Sequence, residues 1–381
     1  MMQAESLDVL VVGAGPAGSS AARAAARGGA RVLVVEKRRQ VGLPVQCAEF
    51  VPQQLIHLLQ VPPRCIAQQI RQMRTVLPDG RIIDKPVRGC VLDRALFDRH
   101  LAVLARQAGA ELRVGWTAIE CNAGEVLLRR GHQEARVQAQ VIVGADGPHS
   151  TVAQWVGQSQ TDFVHGAEVE VVLPEPREYT EVYFDPLYRG GYGWLFPKGE
   201  TANVGVAVNV RTGGRPGAAL DQLCDRLGLP PAAVVGHLGG PVPVGGPVAC
   251  LRDGNVLLVG DAAGLAHPIT GGGIAPAVIS GQLAGQAVAQ AIAGRRPGCA
   301  GSLSTRVGSD DGRPPAPGTG QPALPGRALE RRPSRPECCR RRDLDRIPGL
   351  WLAETGHINY KGATMESPQH VQISMAAAKG P

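Results

Sequence analysis

At 381 residues the chain is long enough for one large or two medium domains, and its 44% hydrophobic and 19% charged content is ordinary for a globular protein. No run of about 18 apolar residues occurs, and no basic N-terminal segment with a cleavage site precedes the first strand, so neither a spanning helix nor export is expected. Ten Arg against six acidic residues in 301–346 supply +4 of the net charge of +7, so a nucleic-acid surface is not predicted. The nine cysteines are scattered and do not suggest a disulfide framework, which favours a reducing, cytoplasmic compartment.

The N-terminal residues predict a βαβ unit. Residues 7–12 and 31–35 are apolar, β-branched runs of the kind that form buried parallel strands. Between them, residues 19–27 are alanine-rich and predict a helix, which two glycines end. Strand, helix and strand together occupy about 30 residues, the usual length of such a unit.

A glycine-rich turn joins the first strand to the helix. Gly13, Gly15 and Gly18 have the spacing G-x-G-x-x-G, which allows a tight turn, close approach of a pyrophosphate, and close packing of helix on strand. The pyrophosphate would lie at the helix N-terminus, and Glu36 at the end of the second strand could accept both ribose hydroxyls. The residues expected at this half of a dinucleotide site are Gly13, Gly15, Pro16, Ala17, Gly18, Glu36 and Lys37.

Further elements are predicted in chain order. They are an amphipathic helix in 91–109, a strand pair around 112–130, a buried strand and glycine turn in 140–147, antiparallel strands between about 165 and 210, a helix in 215–228, a buried strand and glycine turn in 254–264, and a helix in 278–294.

The second glycine-rich block favours FAD over NAD. Gly260 and Asp261 follow a buried strand, and Asp261 is placed to accept a hydrogen bond from a polyol such as the ribityl chain of a flavin. The turn Gly271, Gly272, Gly273 precedes a helix that begins near Ile274, so backbone amides and the helix dipole could stabilise negative charge on a reduced flavin. An NAD-only domain has no need for this second turn.

With these motifs, the sequence resembles the geranylgeranyl reductase family of the p-hydroxybenzoate-hydroxylase-like flavoproteins, over roughly residues 7–295. The resemblance rests on the glycine fingerprint with Glu36, on 94–98 (RALFD), on 144–150 (GADGPHS) and on 260–274 (GDAAGLAHPITGGGI). It implies that Arg94 lies against the cofactor and that Asp146 and Gly147 lie near the nucleotide. The implied fold is α/β, a Rossmann-type FAD-binding domain with an inserted antiparallel-sheet substrate domain.

The resemblance also implies a cavity for an isoprenoid chain. The motif that carries it consists of Tyr192, Trp194, Phe196, Pro197 and Gly205. Two positions depart from the family pattern, because Arg189 stands where a proline is frequent and Ala207 replaces the second glycine of G-x-G. An ordinary aromatic core strand is the alternative interpretation.

Cys47 lies in a P-x-x-C segment that similar proteins place close to the flavin. A thiol there could donate a proton or position the substrate, whereas a small residue that fills space is the alternative. We take Cys47, Tyr192 and Trp194 as catalytic candidates, with Cys47 also contacting the cofactor. No metal site is expected, because the cysteines lack zinc spacing.

The predicted domains are an FAD-binding domain in 1–164 plus 245–298 and a substrate domain in 165–244. Residues 299–346 predict a linker or disordered segment, because 301–346 hold seven Pro and ten Arg but no Lys or aromatic residue, and 347–381 form a C-terminal tail. A locally altered reading frame is an equal explanation of the abrupt change in composition.

The favoured function is FAD-dependent reduction of carbon–carbon double bonds in a polyprenyl chain, with hydride from flavin N5. The alternatives are an FAD-dependent monooxygenase acting on an aromatic or olefinic substrate, since the same fold serves both, and an inactive FAD-binding protein. The expected partners are a lipidic substrate and an electron donor, which could be NAD(P)H, ferredoxin or another carrier. Any membrane contact would be peripheral, at the inner face.

Overall fold

The computed structural model describes residues 4–59 and 61–294, together with two short strands further on. The helices are α1 (Pro16–Arg27), α2 (Gln53–Leu59), α3 (Arg94–Gln107), α4 (Thr151–Trp155), α5 (Pro216–Arg226) and α6 (Ile274–Ala293). The strands up to residue 144 are β1 (Glu5–Val12), β2 (Val32–Glu36), β3 (Phe50–Pro52), β4 (Ile66–Val76), β5 (Ile82–Leu92), β6 (Glu111–Val114), β7 (Thr117–Asn122), β8 (Glu125–Arg130) and β9 (Gln133–Gly144).

The strands that follow are β10 (Phe163–Val172), β11 (Thr180–Tyr183), β12 (Gly193–Lys198), β13 (Thr201–Val208), β14 (Val234–Pro243), β15 (Arg252–Asp253) and β16 (Val256–Leu258). After residue 336 the chain forms a separate unit, in which β17 (Trp351–Leu352) pairs with β18 (Ile358–Asn359). The predicted linker 299–346 and the rest of the predicted tail 347–381 lie outside the described residues.

The first sheet is the predicted Rossmann-type sheet. Its order is β15-β16-β9-β1-β2-β6, with β8 paired to β9 and β7 to β8, and β1 runs parallel to both β2 and β9. One face carries α1, α3 and α6, and the other carries the β7–β8 hairpin and α4. This double coverage buries the second half of β1 on both faces, which explains why residues 9–12 are an unbroken apolar run rather than an alternating one.

The second sheet is largely antiparallel, with the order β14-β10-β13-β12-β11-β4-β5-β3. One face packs on α5 around Leu195, Val204 and Val206, and the other carries Trp194 and Phe196. Three of its strands, β3, β4 and β5, come from the segment 1–164 that the sequence assigned to the FAD-binding domain. The second sheet therefore draws on two separate stretches of chain, 50–92 and 163–243, and the proposed domain limits need adjusting to include the first.

The predicted helix in 91–109 begins later than expected. Residues 91 and 92 are the end of β5, and Asp93 caps α3 by accepting a hydrogen bond from Leu96 N at 2.9 Å. Helices α1 and α5 match their predicted ranges to within a few residues, and α6 starts at Ile274, directly after the glycine turn and four residues before its predicted range. The short helices α2 and α4 were not predicted. In the part of the chain that the structure describes, no helix combines the length and apolarity needed to cross a membrane.

Candidate functional site

The glycine fingerprint combines two tightly packed glycines with an open one. A Cβ on Gly18 would lie 1.9 Å from Gly13 O, and a Cβ on Gly13 would lie 2.3 Å from Ala145 O. Gly13 also has a φ of +101°. A Cβ on Gly15, in contrast, would meet nothing within 4 Å. Gly13 and Gly18 therefore bring helix, strand and the 144–147 turn together, whereas Gly15 leaves space in front of the helix.

The N-terminus of α1 is open to a ligand. Gly15 is the N-cap and provides no side-chain acceptor, and Pro16 occupies the first helical position, so the next backbone amides have no capping partner. Glu36 lies beside this turn, where its carboxylate accepts hydrogen bonds from Ala14 N and Arg38 N, both at 2.9 Å. An uncapped helix N-terminus is a ready site for phosphate.

Asp146 and Gly147 lie next to the fingerprint, but the Asp146 carboxylate is already used within the protein. It accepts hydrogen bonds from Ser150 Oγ at 2.5 Å, Thr151 N at 2.7 Å and Val152 N at 3.2 Å, and so caps α4. Burial raises the pKa of Asp146, and these hydrogen bonds oppose that shift. The Asp146 carboxylate therefore holds the turn that carries Gly147, and its position near a nucleotide stays a prediction.

The second glycine block places an unpaired carboxylate near the start of α6. Asp261 follows Gly260 in a 3₁₀ turn, and within the described residues no hydrogen bond reaches its carboxylate. Burial raises the pKa of Asp261, which the charge of Arg94 counteracts. A Cβ on Gly273 would lie 3.2 Å from Asp261 Oδ1. Gly273 is also the N-cap of α6 and provides no side-chain acceptor.

Helices α1 and α6 are packed in parallel through small residues. A Cβ on Gly281 would lie 2.1 Å from Ala17 O, and one on Gly285 would lie 2.3 Å from Ala21 O. At this register, the start of α6 projects about six residues beyond the start of α1, or roughly 9 Å at the usual helical rise. Two uncapped helix N-termini with Asp261 beside them could hold an elongated dinucleotide.

Arg94 and Cys47 come together beside this region. The Arg94 guanidinium forms a bidentate pair with Asp98, with both distances at 3.0 Å. Burial lowers the pKa of Arg94, but Asp98 and Cys47 outweigh it and the net shift is upward. The pKa of the Cys47 thiol is raised by burial, against the effect of Arg94, so Cys47 is protonated at neutral pH.

Glu49 is a central residue of this region that the sequence did not identify. It is 1% exposed, and its φ of 70° is one of two positive values among non-glycine residues in the described ranges. Its carboxylate accepts hydrogen bonds from Arg94 N at 2.8 Å and Asn203 Nδ2 at 2.7 Å, and pairs with Lys198 Nζ at 2.6 Å. Its own N–H donates to Cys47 Sγ at 3.2 Å. Glu49 therefore links the Cys47 loop, the start of α3 and the second sheet.

The predicted substrate motif forms a row of aromatic rings on one face of the second sheet. The ring centroids of Tyr192 and Trp194 are 5.9 Å apart, and those of Trp194 and Phe196 are 6.3 Å apart. Tyr192 Oη donates to Thr270 O at 2.5 Å, which ties this row to the loop in front of α6. Pro197 is a correction to the predicted cavity lining: side chains alternate along a strand, so it lies on the opposite face from Trp194 and Phe196.

Most of the other predicted site residues lie either at the glycine turn before α6 or in the aromatic row of the second sheet. Gly271 and Gly272 belong to the turn before α6, Ile274 is its first residue, and Gly205 lies under Trp194 on the neighbouring strand. Lys37 is exposed on the loop after β2. The contribution of each to cofactor or substrate binding stays a prediction.

Comparisons with known proteins identify similar sequences. A family profile described as an NAD(P)-binding Rossmann-like domain matches residues 11–77. Digeranylgeranylglycerophospholipid reductase of Methanothrix thermoacetophila is 38% identical over 319 residues, covering 78% of this chain and 81% of that protein. Digeranylgeranylglycerophospholipid reductase 1 of Methanopyrus kandleri is 37% identical, covering 75% of this chain and 81% of that protein.

Solved structures with a similar fold include a reductase-like protein and a halogenase. A geranylgeranyl bacteriochlorophyll reductase-like protein from Thermoplasma acidophilum is 32% identical with a TM-score of 0.71, covering 77% of this chain and 80% of that one. The flavin-dependent brominase Bmp2 has a TM-score of 0.63 at 18% identity, and covers 77% of this chain and 81% of that one. At that identity the brominase likeness shows the fold alone.

Proposed function

The chain belongs to the family of the digeranylgeranylglycerophospholipid reductases, and from this membership we propose that it uses FAD to reduce carbon–carbon double bonds in a polyprenyl chain. It is thus an FAD-dependent oxidoreductase. The family profile names NAD(P), but it spans only the βαβ region, whose glycine turn serves either dinucleotide. The second uncapped helix terminus, beside the unpaired Asp261, is the feature that suits a flavin.

Each part of the proposed cofactor site is assigned to this chain's own residues. The α1 terminus at Gly15 to Gly18 would bind the pyrophosphate, Glu36 the ribose, Asp261 the ribityl chain, and the Gly271–Gly273 turn with Ile274 the flavin ring. When bound and reduced, FAD would supply the hydride, which we expect from ring N5. Gly260 maintains the packing that this arrangement needs, because a Cβ there would lie 2.9 Å from Ala17 Cβ.

The single observation that carries the substrate assignment is the aromatic row and its link to the flavin-side loop. Tyr192, Trp194 and Phe196 form a mostly buried apolar surface, and the Tyr192–Thr270 hydrogen bond holds it against the loop before α6. An isolated alkene is a poor hydride acceptor, so the protein must hold it close to the donor and exclude water. An apolar wall at this position meets both requirements, and Gly205 lets Trp194 lie flat in it.

Cys47 is proposed as the residue that donates the proton to the second alkene carbon. Its thiol is protonated at neutral pH because burial raises its pKa, and it lies within the electrostatic reach of Arg94 and Tyr192. The positive charge of Arg94 would stabilise the thiolate that remains after transfer. Glu49 N–H, which donates to the same sulfur, holds it in position.

Replacing Cys47 with alanine should lower the rate of alkene reduction about 100-fold, the lower end of what a positioned acid contributes. FAD content, measured in the same samples, shows whether part of the loss comes from weaker cofactor binding, since Cys47 is also predicted to contact FAD. The control is Cys121→Ala, because Cys121 is a half-buried cysteine on β7 of the first sheet. An unchanged rate in Cys47→Ala would show that water or another residue supplies the proton.

The reaction is tested with reduced holoprotein under anaerobic conditions. A polyprenyl lipid should reoxidise the flavin, and its product should gain one H₂ for each double bond reduced. A monooxygenase would require O₂ and would add an oxygen atom, whereas an inactive FAD-binding protein would show neither change. NAD(P)H, ferredoxin and other carriers are to be compared as the donor in the same assay. We also propose that the lipid is reached through peripheral contact with a membrane, in keeping with the glycerophospholipid in the relatives' names.

A further inference from the structure

Three residues on neighbouring strands form one line across the second sheet. Glu168 on β10 is opposite Gly205 on β13, and Gly205 is opposite Trp194 on β12. Neighbouring strands are roughly 4.8 Å apart, so Glu168 and Trp194 are separated by about twice that distance. The Trp194 indole spans the gap, and its Nε1 donates to Glu168 Oε2 at 2.7 Å.

Gly205 makes this arrangement possible. A Cβ at that position would lie 2.5 Å from Trp194 Cζ2 and 2.7 Å from Cε2, so any other residue would push the ring away from the sheet. The aromatic motif and its glycine are therefore parts of one feature, in which an indole lies flat over a glycine and is anchored by a buried carboxyl group.

The surroundings of Glu168 disfavour a negative charge. Its side chain is 3% exposed, and its Oε1 has no hydrogen-bond partner. The charged groups that act on it are Glu49, Glu170 and Lys198, and the Lys198 ammonium is already paired with Glu49. Burial is the main reason that the pKa of Glu168 is raised to about 8, with Glu49 adding to it and Trp194 opposing it.

We propose that Glu168 is a positioning residue of the isoprenoid cavity, which as an uncharged carboxylic acid anchors the Trp194 indole across Gly205 and keeps the cavity wall free of charge. This inference rests on the proposed function. A hydrocarbon chain binds well only to a wall without an unpaired charge, because burying an ion without a partner is costly. Cys47 also interacts electrostatically with Glu168, and its thiol is uncharged at neutral pH because burial raises its pKa.

Lipid affinity should consequently fall as Glu168 ionises. If only the uncharged form binds, the apparent Kd at pH 9 should be about tenfold higher than at pH 7, since the competent fraction falls by that factor. The free energy of unfolding should also depend on the ionisation of Glu168. The folded state keeps a proton that the unfolded chain has lost, so stability should decrease as pH rises from the ordinary value of 4.5 to about 8.

The variant Glu168→Gln tests both consequences. Its amide oxygen can still accept from Trp194 Nε1, but it has no proton to lose. We would measure the Kd of a polyprenyl phospholipid for the oxidised holoprotein by flavin absorbance between pH 6.5 and pH 9, and the urea midpoint over the same range and below it. Glu168→Leu, which removes the acceptor, should weaken lipid binding at every pH. The matched control is Glu170→Gln, on the same strand and face, where Glu170 accepts from Thr201 Oγ1.

We expect the Kd to rise with pH in the wild type and in Glu170→Gln, and to be independent of pH in Glu168→Gln. We also expect the urea midpoint of the wild type to decrease with rising pH more than the midpoint of Glu168→Gln does. The same rise in Kd for Glu168→Gln, or no rise in the wild type, would overturn it. If the wild type binds the lipid but reduces no double bond, the proposed reaction fails while these profiles still decide the role of Glu168. A wild type that binds no polyprenyl lipid at any pH would overturn both.

Discussion

Replacing Gly18 with alanine is expected to yield a protein that does not retain FAD and that loses more than about 4 kcal/mol of stability, the range of the most severe single substitutions. The added Cβ would lie 1.9 Å from Gly13 O, and this neighbour is backbone rather than a flexible side chain. Strand β1 and helix α1 would have to separate, which displaces the helix N-terminus that we assign to the pyrophosphate. Bound flavin absorbance and urea unfolding measure the two effects.

Alanine variants of Gly15 and Gly217 distinguish an effect on FAD binding from an effect on packing. Gly15→Ala meets nothing within 4 Å in the protein, so the fold should be retained while FAD affinity falls, because the Cβ occupies the space in front of the helix. Gly217, in the first turn of α5, also has open space and a normal φ, so Gly217→Ala should leave FAD unaffected and raise stability by up to about 1 kcal/mol. Equal FAD affinity in Gly15→Ala and the wild type would exclude the proposed pyrophosphate site.

Replacing Glu49 with alanine is expected to lower the free energy of unfolding by about 3–5 kcal/mol, the usual cost of leaving one partner of a buried ion pair unpaired. Lys198 would lose its partner, and the donors Arg94 N and Asn203 Nδ2 would lose their acceptor. The Cys47 loop would also lose its connection to the second sheet, so the rate of alkene reduction should fall as well. Urea unfolding at a fixed excess of FAD measures the stability change.

The control for Glu49 is an ion pair on an exposed part of the second sheet. Arg74 and Asp84 form a bidentate pair at 2.9 and 3.0 Å, with side chains 28% and 40% exposed, so Asp84→Ala should cost less than about 1 kcal/mol. The double variant Glu49→Leu/Lys198→Met should recover part of the loss, because it removes both buried charges. A loss in Glu49→Ala no larger than that in Asp84→Ala would contradict the central role assigned to Glu49.

The cofactor end of the site could be predicted well from the sequence because its signals are local. A glycine spacing, the strand before it and the helix after it lie within a few residues of one another, so the turn of Gly13, Gly15 and Gly18 could be predicted, whereas the close approach of Ala145 to Gly13 could not. The same holds for Gly271 to Gly273 at the start of α6. Asp146 shows the limit of such reasoning, since the motif identified the turn but not that its carboxylate faces α4.

The charged residues behind the substrate motif could not be predicted. In the alternating stretch that contains Glu168 and Glu170, glutamates between valines usually indicate the solvent face of a sheet. Here that face is covered, and Glu168 meets Trp194 from a strand 26 residues further along the chain. Glu49 similarly meets Asn203 across 154 residues. No pattern within a short window carries such pairings.

The sequence by itself therefore determined the class of fold, the dinucleotide turn, the flavin-side glycine turn and the aromatic motif, because each depends on residues adjacent in the chain. Only the tertiary structure decided that β3 to β5 join the second sheet, and that Glu49 and Glu168 are buried between cofactor loop and substrate strand. The physical reason is that burial and hydrogen-bond partners depend on which surfaces meet. In this protein the surfaces that form the site come from strands and helices far apart in sequence.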